Sequence, residues 1–446
     1  MKPHSRSPAA ILLVAQLSPP SGLSAARRAA GLAKYLGRLG HRVTVLTSMS
    51  SGGGSVIGAE RVVRTRDLLV SPLNWRRESF RSLAGEEHAG PSQGVAGYSS
   101  PSRLAAWAAP DLAAVGWLPF ALPRALRLAR EQRFDCAITT SPPHSAHLIG
   151  LALSRRANVP WVADFRDGWT FESDRAGWPT PAHGALDERL ERSVAEAADV
   201  LVAVSEPIAE DLRRRFGVVA TTITNGFDPE DQPSDEAADG RAGHDPALSE
   251  DRLSLVHAGR MAYAGRSPEP LLAGFERMRA HDPELAGRVE LVFAGPLSTH
   301  ERELIERHGV DGAARAVGSM SRSRALALQR HADGLLVLTS GDRRGEATQK
   351  IYEYLATGRR ILVLGEETEA ARIVREAEAG AVTSATDPEA IAGALGDMVR
   401  RLESDDGARD AAAHSIRIDG YSYANLASAM AEQVERAIVR HRERQG

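Results

Sequence analysis

Short, continuously apolar runs alternate with amphipathic helical patterns along this chain, and the alternation runs through twice. Ile11-Leu-Leu-Val-Ala15 and Gly334-Leu-Leu-Val-Leu338 carry no polar residue on either face. Such strands must be covered on both sides, which selects a parallel sheet layered between helices. In the first series the pattern predicts strands over 11–15, 42–46, 135–139, 161–164 and 200–204, with helices over 25–39, 117–131, 145–156 and 186–197. After Asn225-Gly-Phe-Asp228, residues 229–251 are acidic and poor in large apolar side chains, as suits a solvent-exposed connection. The grammar then restarts. Strands are predicted over 253–258, 289–294, 314–317, 334–338, 360–364 and 381–383, and helices over 270–278, 301–307, 322–330, 348–357, 366–377 and 388–402.

At 446 residues the chain exceeds what a single hydrophobic core serves. The expected organisation is α/β, with two Rossmann-like domains over 1–225 and 226–410 and a helical segment over 411–446. Ligands of such sheets bind beyond the carboxyl ends of the strands, so a cleft between facing domains is the expected site. Residues 50–103 break the rhythm with Gly52-Gly-Gly54, Pro91 and Pro101. They read as an insert in the first domain, either a substrate-binding loop or plain surface.

A net charge of -3 leaves no concentrated positive footprint for nucleic acid. The single cysteine, Cys136, excludes a disulfide framework and a cysteine-built zinc site, and points to a reducing cytoplasm. No apolar run reaches the roughly 18 residues of a membrane helix. Peripheral contact at the inner face of a membrane stays open, since arginine-rich helices can lie on anionic lipid. Trp117-Leu-Pro-Phe120 reads as a core or packing element rather than an exposed apolar patch.

Only three lysines occur, Lys2, Lys34 and Lys350, in a chain with 55 basic residues. Lys350 stands in Gly345-Glu-Ala-Thr-Gln-Lys-Ile-Tyr-Glu-Tyr-Leu-Ala-Thr-Gly358, where a helix places Lys350 and Glu353 on one face. A helix opening beside Gly345 offers free backbone N–H groups to a phosphate. Lys350 can meet a diphosphate as a point charge, and Glu353 can accept from two vicinal hydroxyls. The plain alternative is a solvated ion pair. Gly259-Arg260 and Gly265-Arg266 leave a predicted strand in a loop suited to phosphate, where forked guanidinium bonds match the oxygens. Gly22 follows the first strand without a G-x-G-x-x-G fingerprint, which disfavours an ordinary nicotinamide or flavin site. In Thr139-Thr-Ser-Pro-Pro-His144-Ser-Ala-His147, either histidine could orient a sugar hydroxyl, and no ligand set for zinc accompanies them. Asp164, Arg166 and Asp167 put paired charge beside Trp161 and Trp169, as a sugar platform or as an ion pair anchoring a loop.

Taken in order, Ser18-Pro-Pro20, Gly40-His-Arg-Val-Thr-Val-Leu-Thr47, Ser141-Pro-Pro-His144, Asp164-Phe-Arg-Asp167, Asn225-Gly226, Gly265-Arg-Ser-Pro268, Phe293-Ala-Gly295 and Lys350-Ile-Tyr-Glu-Tyr-Leu-Ala356 resemble the glycosyltransferase family 4 branch of GT-B enzymes. The resemblance spans roughly residues 11 to 430. It implies a nucleoside-diphosphate-sugar donor (UDP-linked by family frequency), a hydroxyl-bearing acceptor, retention at the anomeric carbon and no obligatory metal or other cofactor. The family's diphosphate contacts fall on Arg260 and on Arg266 or Lys350, its ribose-binding glutamate on Glu353, and its backbone contacts to the base on Gly318-Ser319. Gly22 falls beside the donor phosphates. His144 matches the active-site histidine and, with Asp167 and Arg260, forms the candidate catalytic set. The first glutamate of the usual pair is replaced here by Gly345, as in a branch with Lys-x-x-Glu-Tyr-Leu-Ala. The family's C-terminal helices cross back to the first domain, and residues 421–440 suit that element. Two alternatives share the implied architecture or its binding function: a sugar-nucleotide epimerase, and a non-catalytic sugar-nucleotide scaffold.

Overall fold

The computed structural model describes residues 8–19, 25–68, 109–111, 113–172, 178–231, 245–261, 266–308, 310, 312–341, 343–404 and 417–446. These fall into two compact units, one made of residues up to 225 together with 423–446, the other of residues 226–422. Gly22, Gly265, Pro91 and Pro101 lie outside the described residues.

The first unit holds a parallel sheet of β1 (Ala10–Val14), β2 (Arg42–Ser48), β3 (Ala59–Thr65), β4 (Cys136–Ser141), β5 (Trp161–Phe165), β6 (Val200–Ala203) and β7 (Ala220–Thr222), in the order β3-β2-β1-β4-β5-β6-β7. β1 and β4 bury every residue, and β1 is the continuously apolar run that such burial favours. One helix, Ala25–Arg38, turns Ala29, Leu32, Ala33 and Leu36 into the core, a single face by spacing. Beside it the final helix, Tyr423–Glu443, adds Leu426, Met430, Val434 and Ala437 to the same core. Gly31 permits that approach, since a Cβ there would stand 2.4 Å from Tyr423 Cγ. The far end of this helix is tied by Asp199, which accepts from the Trp161 amide at 2.8 Å and meets His441 Nδ1 at 3.0 Å. Arg444 pairs with the same carboxylate.

Two strands, β3 and β7, and the helix Glu206–Phe216 lie outside the elements read from the sequence. Residues 50–103 are not uniformly irregular, because β3 forms within them and extends the sheet in parallel beside β2. β3 sits at the edge, half-exposed, so it shows polar alternation with arginine and glutamate rather than an apolar run. β7 escapes notice because it is a three-residue edge strand. Trp117 is fully buried and donates its indole N–H to Thr65 Oγ1 at 2.9 Å, a core role.

The second unit holds β8 (Leu253–Ala258), β9 (Val289–Ala294), β10 (Ala314–Gly318), β11 (Gly334–Leu338), β12 (Arg360–Leu364) and β13 (Gly380–Thr383) in the parallel order β10-β9-β8-β11-β12-β13. The chain order reverses direction between β8 and β11, so the loops leaving those strands are where such a sheet opens for a ligand. Among the described residues no helix is long and apolar enough to cross a membrane.

Candidate functional site

In the second unit the loop after β8 and the helix Gln349–Thr357 meet side by side. The helix is held there by Tyr354, whose hydroxyl accepts the Ala258 amide at 2.8 Å. Burial pushes that phenol above its ordinary range. Gln349 donates to the Gly226 carbonyl at 2.5 Å, fixing the start of the helix. Its N-cap is Thr348, which gives no side-chain cap bond, and its C-cap is Gly358 in the left-handed region at φ 71°. The helix therefore opens four residues beyond Gly345, with no cap bond from the Thr348 side chain to its first backbone N–H groups.

Lys350 runs from this helix into the β8 loop. Its ammonium lies 3.2 Å from His257 Nε2 and 3.5 Å from the Arg260 carbonyl. Gly259, at φ 114°, makes the passage possible, because a Cβ there would stand 2.6 Å from Lys350 Cε. Lys350 as a whole is half-buried, and burial of the ammonium and the charge of Arg266 lower its pKa from 10.5 to about 7, against the opposing pull of Glu346. His257 is fully buried on β8, and burial followed by the Lys350 charge lowers its pKa from 6.5 to about 3.

Arg266 is committed elsewhere in the same cluster. Its Nε donates to Glu346 Oε1 at 2.7 Å, and both side chains are nearly buried. Glu346 is itself steadied by the Ser340 hydroxyl at 3.0 Å. Glu353, 5% exposed, receives Arg322 at 3.3 Å, and Arg322 also reaches Asp231 at 2.9 Å. Arg322 opens the helix that follows Gly318 and Ser319 at the end of β10, so the β10 loop and Glu353 border one surface. Arg260 is half-buried and follows Gly259 directly. The second unit thus brings Arg260, Arg266, Lys350 and Glu353 around neighbouring loops and one helix, with Gly318 and Ser319 joined to them through Arg322.

The first unit gathers its polar residues at the ends of β4 and β5. His144 is half-buried in the turn after Ser141 and stacks on Trp169 at 5.1 Å with an interplanar angle of 15°. Asp111 fixes that turn, accepting from the Ser145 amide at 2.9 Å and its hydroxyl at 2.8 Å. Burial raises the Asp111 pKa against those bonds. His147 is fully buried, with Nδ1 2.8 Å from Thr139 Oγ1, and its pKa is lowered by burial, then by Arg166, to about 3. Of the two histidines, His144 is the accessible one. Arg166 donates to the Ser141 and Pro142 carbonyls at 2.6 and 3.0 Å, while Asp164 takes a buried fork from Arg28 at 2.8 and 2.7 Å. Asp167 is exposed. Trp161 and Trp169 are core residues whose indole nitrogens donate to Thr139 and Asp187 at 2.8 and 2.7 Å, so neither presents an open face as a sugar platform. Cys136 is buried, and burial raises its thiol pKa.

Sequence reasoning missed His257, Arg322, Tyr354 and Asp111. His257 lies in the apolar run of β8, where a lone polar residue reads as core. The other three are placed by folding rather than by spacing along the chain. Among the described residues no group of three or more histidine, cysteine or acidic side chains could hold a metal.

Residues 25–231 match the model of Glycosyltransferase Family 4. No curated protein matches the chain in sequence. A glycosyltransferase from Rickettsia africae ESF-5 superposes with a TM-score of 0.61 at 15% identity, covering 97% of this chain and 99% of its own. Sucrose-phosphate synthase from Thermosynechococcus elongatus gives 0.64 at 15% identity over 97% and 100% of the two chains. An α,α-trehalose 6-phosphate synthase from Burkholderia multivorans gives 0.60 at 16% identity over 96% and 98%. At such identities the likeness is one of fold, and the two Rossmann-like sheets with a C-terminal helix are those of the GT-B architecture. The family match covers the first sheet, β1 and the C-terminal helix excepted.

Proposed function

We propose that this protein is a retaining glycosyltransferase that moves a sugar from a nucleoside-diphosphate donor, UDP-linked by the family it resembles, to a hydroxyl of a glycan, a lipid-linked acceptor or a natural product. The observation that carries this reading is the Lys350 cluster. Lys350 and Arg266, the latter paired with Glu346, gather beside a helix start whose N-cap gives no side-chain bond, an arrangement suited to an anion. A diphosphate supplies that anion. Lys350 and Arg260 would contact it, and Arg266 would add charge through its pair with Glu346. The same groups would stabilise charge developing on the departing diphosphate.

Glu353 would accept from the ribose hydroxyls, exchanging with or joining Arg322, and the backbone of Gly318 and Ser319 would face the base. Gly22, outside the described residues, is proposed beside the phosphates from the resemblance alone. In the retaining scheme the acceptor hydroxyl attacks from the leaving-group side and a donor phosphate oxygen takes its proton. His144 would orient a sugar hydroxyl, supported by its partial exposure and its stack on Trp169, with Asp167 at the exposed end of the same segment. No bound metal is required by this scheme. The activity would take place in the cytoplasm, with peripheral contact at the inner membrane face if the acceptor is lipid-linked.

Calorimetric titration with a panel of nucleoside diphosphates and their sugars tests the reading, alongside Glu353→Ala and Lys350→Ala. Base-selective binding weakened at least about tenfold by each substitution is expected. Absence of binding across the panel by folded protein would overturn the donor-site assignment.

A further inference from the structure

We propose that His257 is a positioning residue for Lys350, a fixed neutral acceptor that holds the lysine amine in its slot and keeps it protonated for an anionic ligand. The inference deepens the donor-site reading above and rests on it for the identity of the ligand.

The tautomer follows from the neighbours. His257 Nδ1 lies 3.0 Å from the Leu336 carbonyl, a group that can only accept, so Nδ1 carries the proton. Nε2 is then a lone pair, and Lys350 donates to it across 3.2 Å. The Arg260 carbonyl also stands 3.2 Å from Nε2, an acceptor facing an acceptor. Both therefore need a proton donor between them, and the ammonium, 3.5 Å from that carbonyl, is placed to serve both. Gly259 leaves the room through which the lysine stem passes.

The ring cannot take the alternative role. Leu336 belongs to β11, the strand beside β8, so the Nδ1 bond crosses the sheet and fixes the imidazole plane. Burial keeps the ring neutral, which preserves the lone pair at any ordinary pH. Among the described residues, the charged groups that act on the amine are Arg266, which opposes its protonation, and Glu346, which favours it. Hydrogen bonding to the charged form of a base favours that form. His257 thus offsets part of the cost that burial and Arg266 impose on Lys350.

The three lysines make the test direct. Protein carrying lysine labelled with ¹³C at Cε should give three resonances, and Lys350→Arg identifies the one that matters. In the ligand-free wild type this resonance should titrate well below the ordinary 10.5. His257→Phe removes the acceptor and should lower the midpoint by about one pH unit, the size expected for losing a hydrogen bond to a charged donor. His257→Gln, which can place an amide oxygen near Nε2, should restore most of that shift. Uridine diphosphate affinity near pH 8 should fall roughly tenfold in the Phe variant and recover in the Gln variant. An unchanged midpoint in folded His257→Phe overturns the proposal, as does an equal loss in both variants. If the titrations behave as expected but no nucleotide binds, the donor-site reading fails while the His257–Lys350 link stands.

Discussion

The two units each bury charge at the carboxyl ends of a parallel sheet, and they do so in opposite ways. In the first, Arg28 and Asp164 are almost wholly enclosed, and the guanidinium also donates to the Thr224 and Ile223 carbonyls at 2.5 and 2.9 Å. Each charge has its counterion, and the remaining donors have carbonyls. In the second, Arg266 pairs with Glu346, while Lys350 leans on a neutral imidazole. A closed ion pair specifies structure; a buried lysine whose charge its surroundings oppose is a candidate for binding a ligand. The difference is chemical and can be measured.

The largest effect is expected at the closed pair. Arg28→Ala leaves Asp164 buried without its partner and should destabilise the protein by about 3–5 kcal/mol. All six tryptophans precede residue 179, so tryptophan fluorescence follows unfolding of the first unit alone. The substitution should move that transition to lower denaturant, and an unshifted transition would show that Arg28 is not a structural anchor.

Next comes Gly259→Ala. At φ 114° any side chain is strained, and the new Cβ would meet Lys350 Cε at 2.6 Å. A loss of about 1–3 kcal/mol is expected, together with weaker nucleotide binding, because the lysine must leave its slot. Far-UV circular dichroism reports the stability loss, and tryptophan fluorescence should miss it. A shift seen equally by both probes would mean that the units unfold as one.

The pH dependence separates the units further. His147 and His257 each have a folded pKa of about 3 against an ordinary 6.5, so the unfolded chain binds more protons between those values. Their contribution is complete above 6.5 and lost as pH falls through about 3, and both units should therefore weaken in acid. Lys350 adds a window of its own. With a folded pKa of about 7 against 10.5, its contribution is complete above 10.5 and lost as pH falls through 7. Between these values circular dichroism should show stability rising with pH, and Lys350→Met should flatten the rise. A slope unchanged in that variant would place the proton elsewhere.

How much of this was legible in the sequence depends on where each residue's partner lies. The largely apolar runs at 253–258, 289–294, 334–338 and 360–364 became β8, β9, β11 and β12 with matching bounds, since a strand covered on both faces is mostly apolar. β3 was missed because an edge strand need not be. Lys350 and Glu353 stood out by residue type and spacing on one helix. His257 did not, because its meaning depends on Lys350 and Leu336, which are distant in sequence and meet only when β8 pairs with β11. Arg322 joins Asp231 to Glu353 for the same reason. The tryptophans of the 161–169 segment misled in the other direction. Their type suits a platform, but packing against Thr139 and Asp187 encloses them.

The smallest expected change in stability is also the most telling for the comparison. Lys350→Met keeps the stem that passes Gly259 and removes only the ammonium, whose burial the fold resists. Replacing an under-compensated buried charge by an apolar group of similar shape is commonly neutral or stabilising, so near neutral pH the unfolding free energy should be unchanged or raised by about 1 kcal/mol. Nucleoside-diphosphate binding should fall by tenfold or more in the same protein, because the point charge proposed to meet the phosphate is gone. A residue that costs the fold nothing when removed, yet is needed for the ligand, is the signature that separates this cluster from the Arg28–Asp164 pair. A loss of several kcal/mol on Lys350→Met, seen by circular dichroism, would instead make the second cluster as structural as the first.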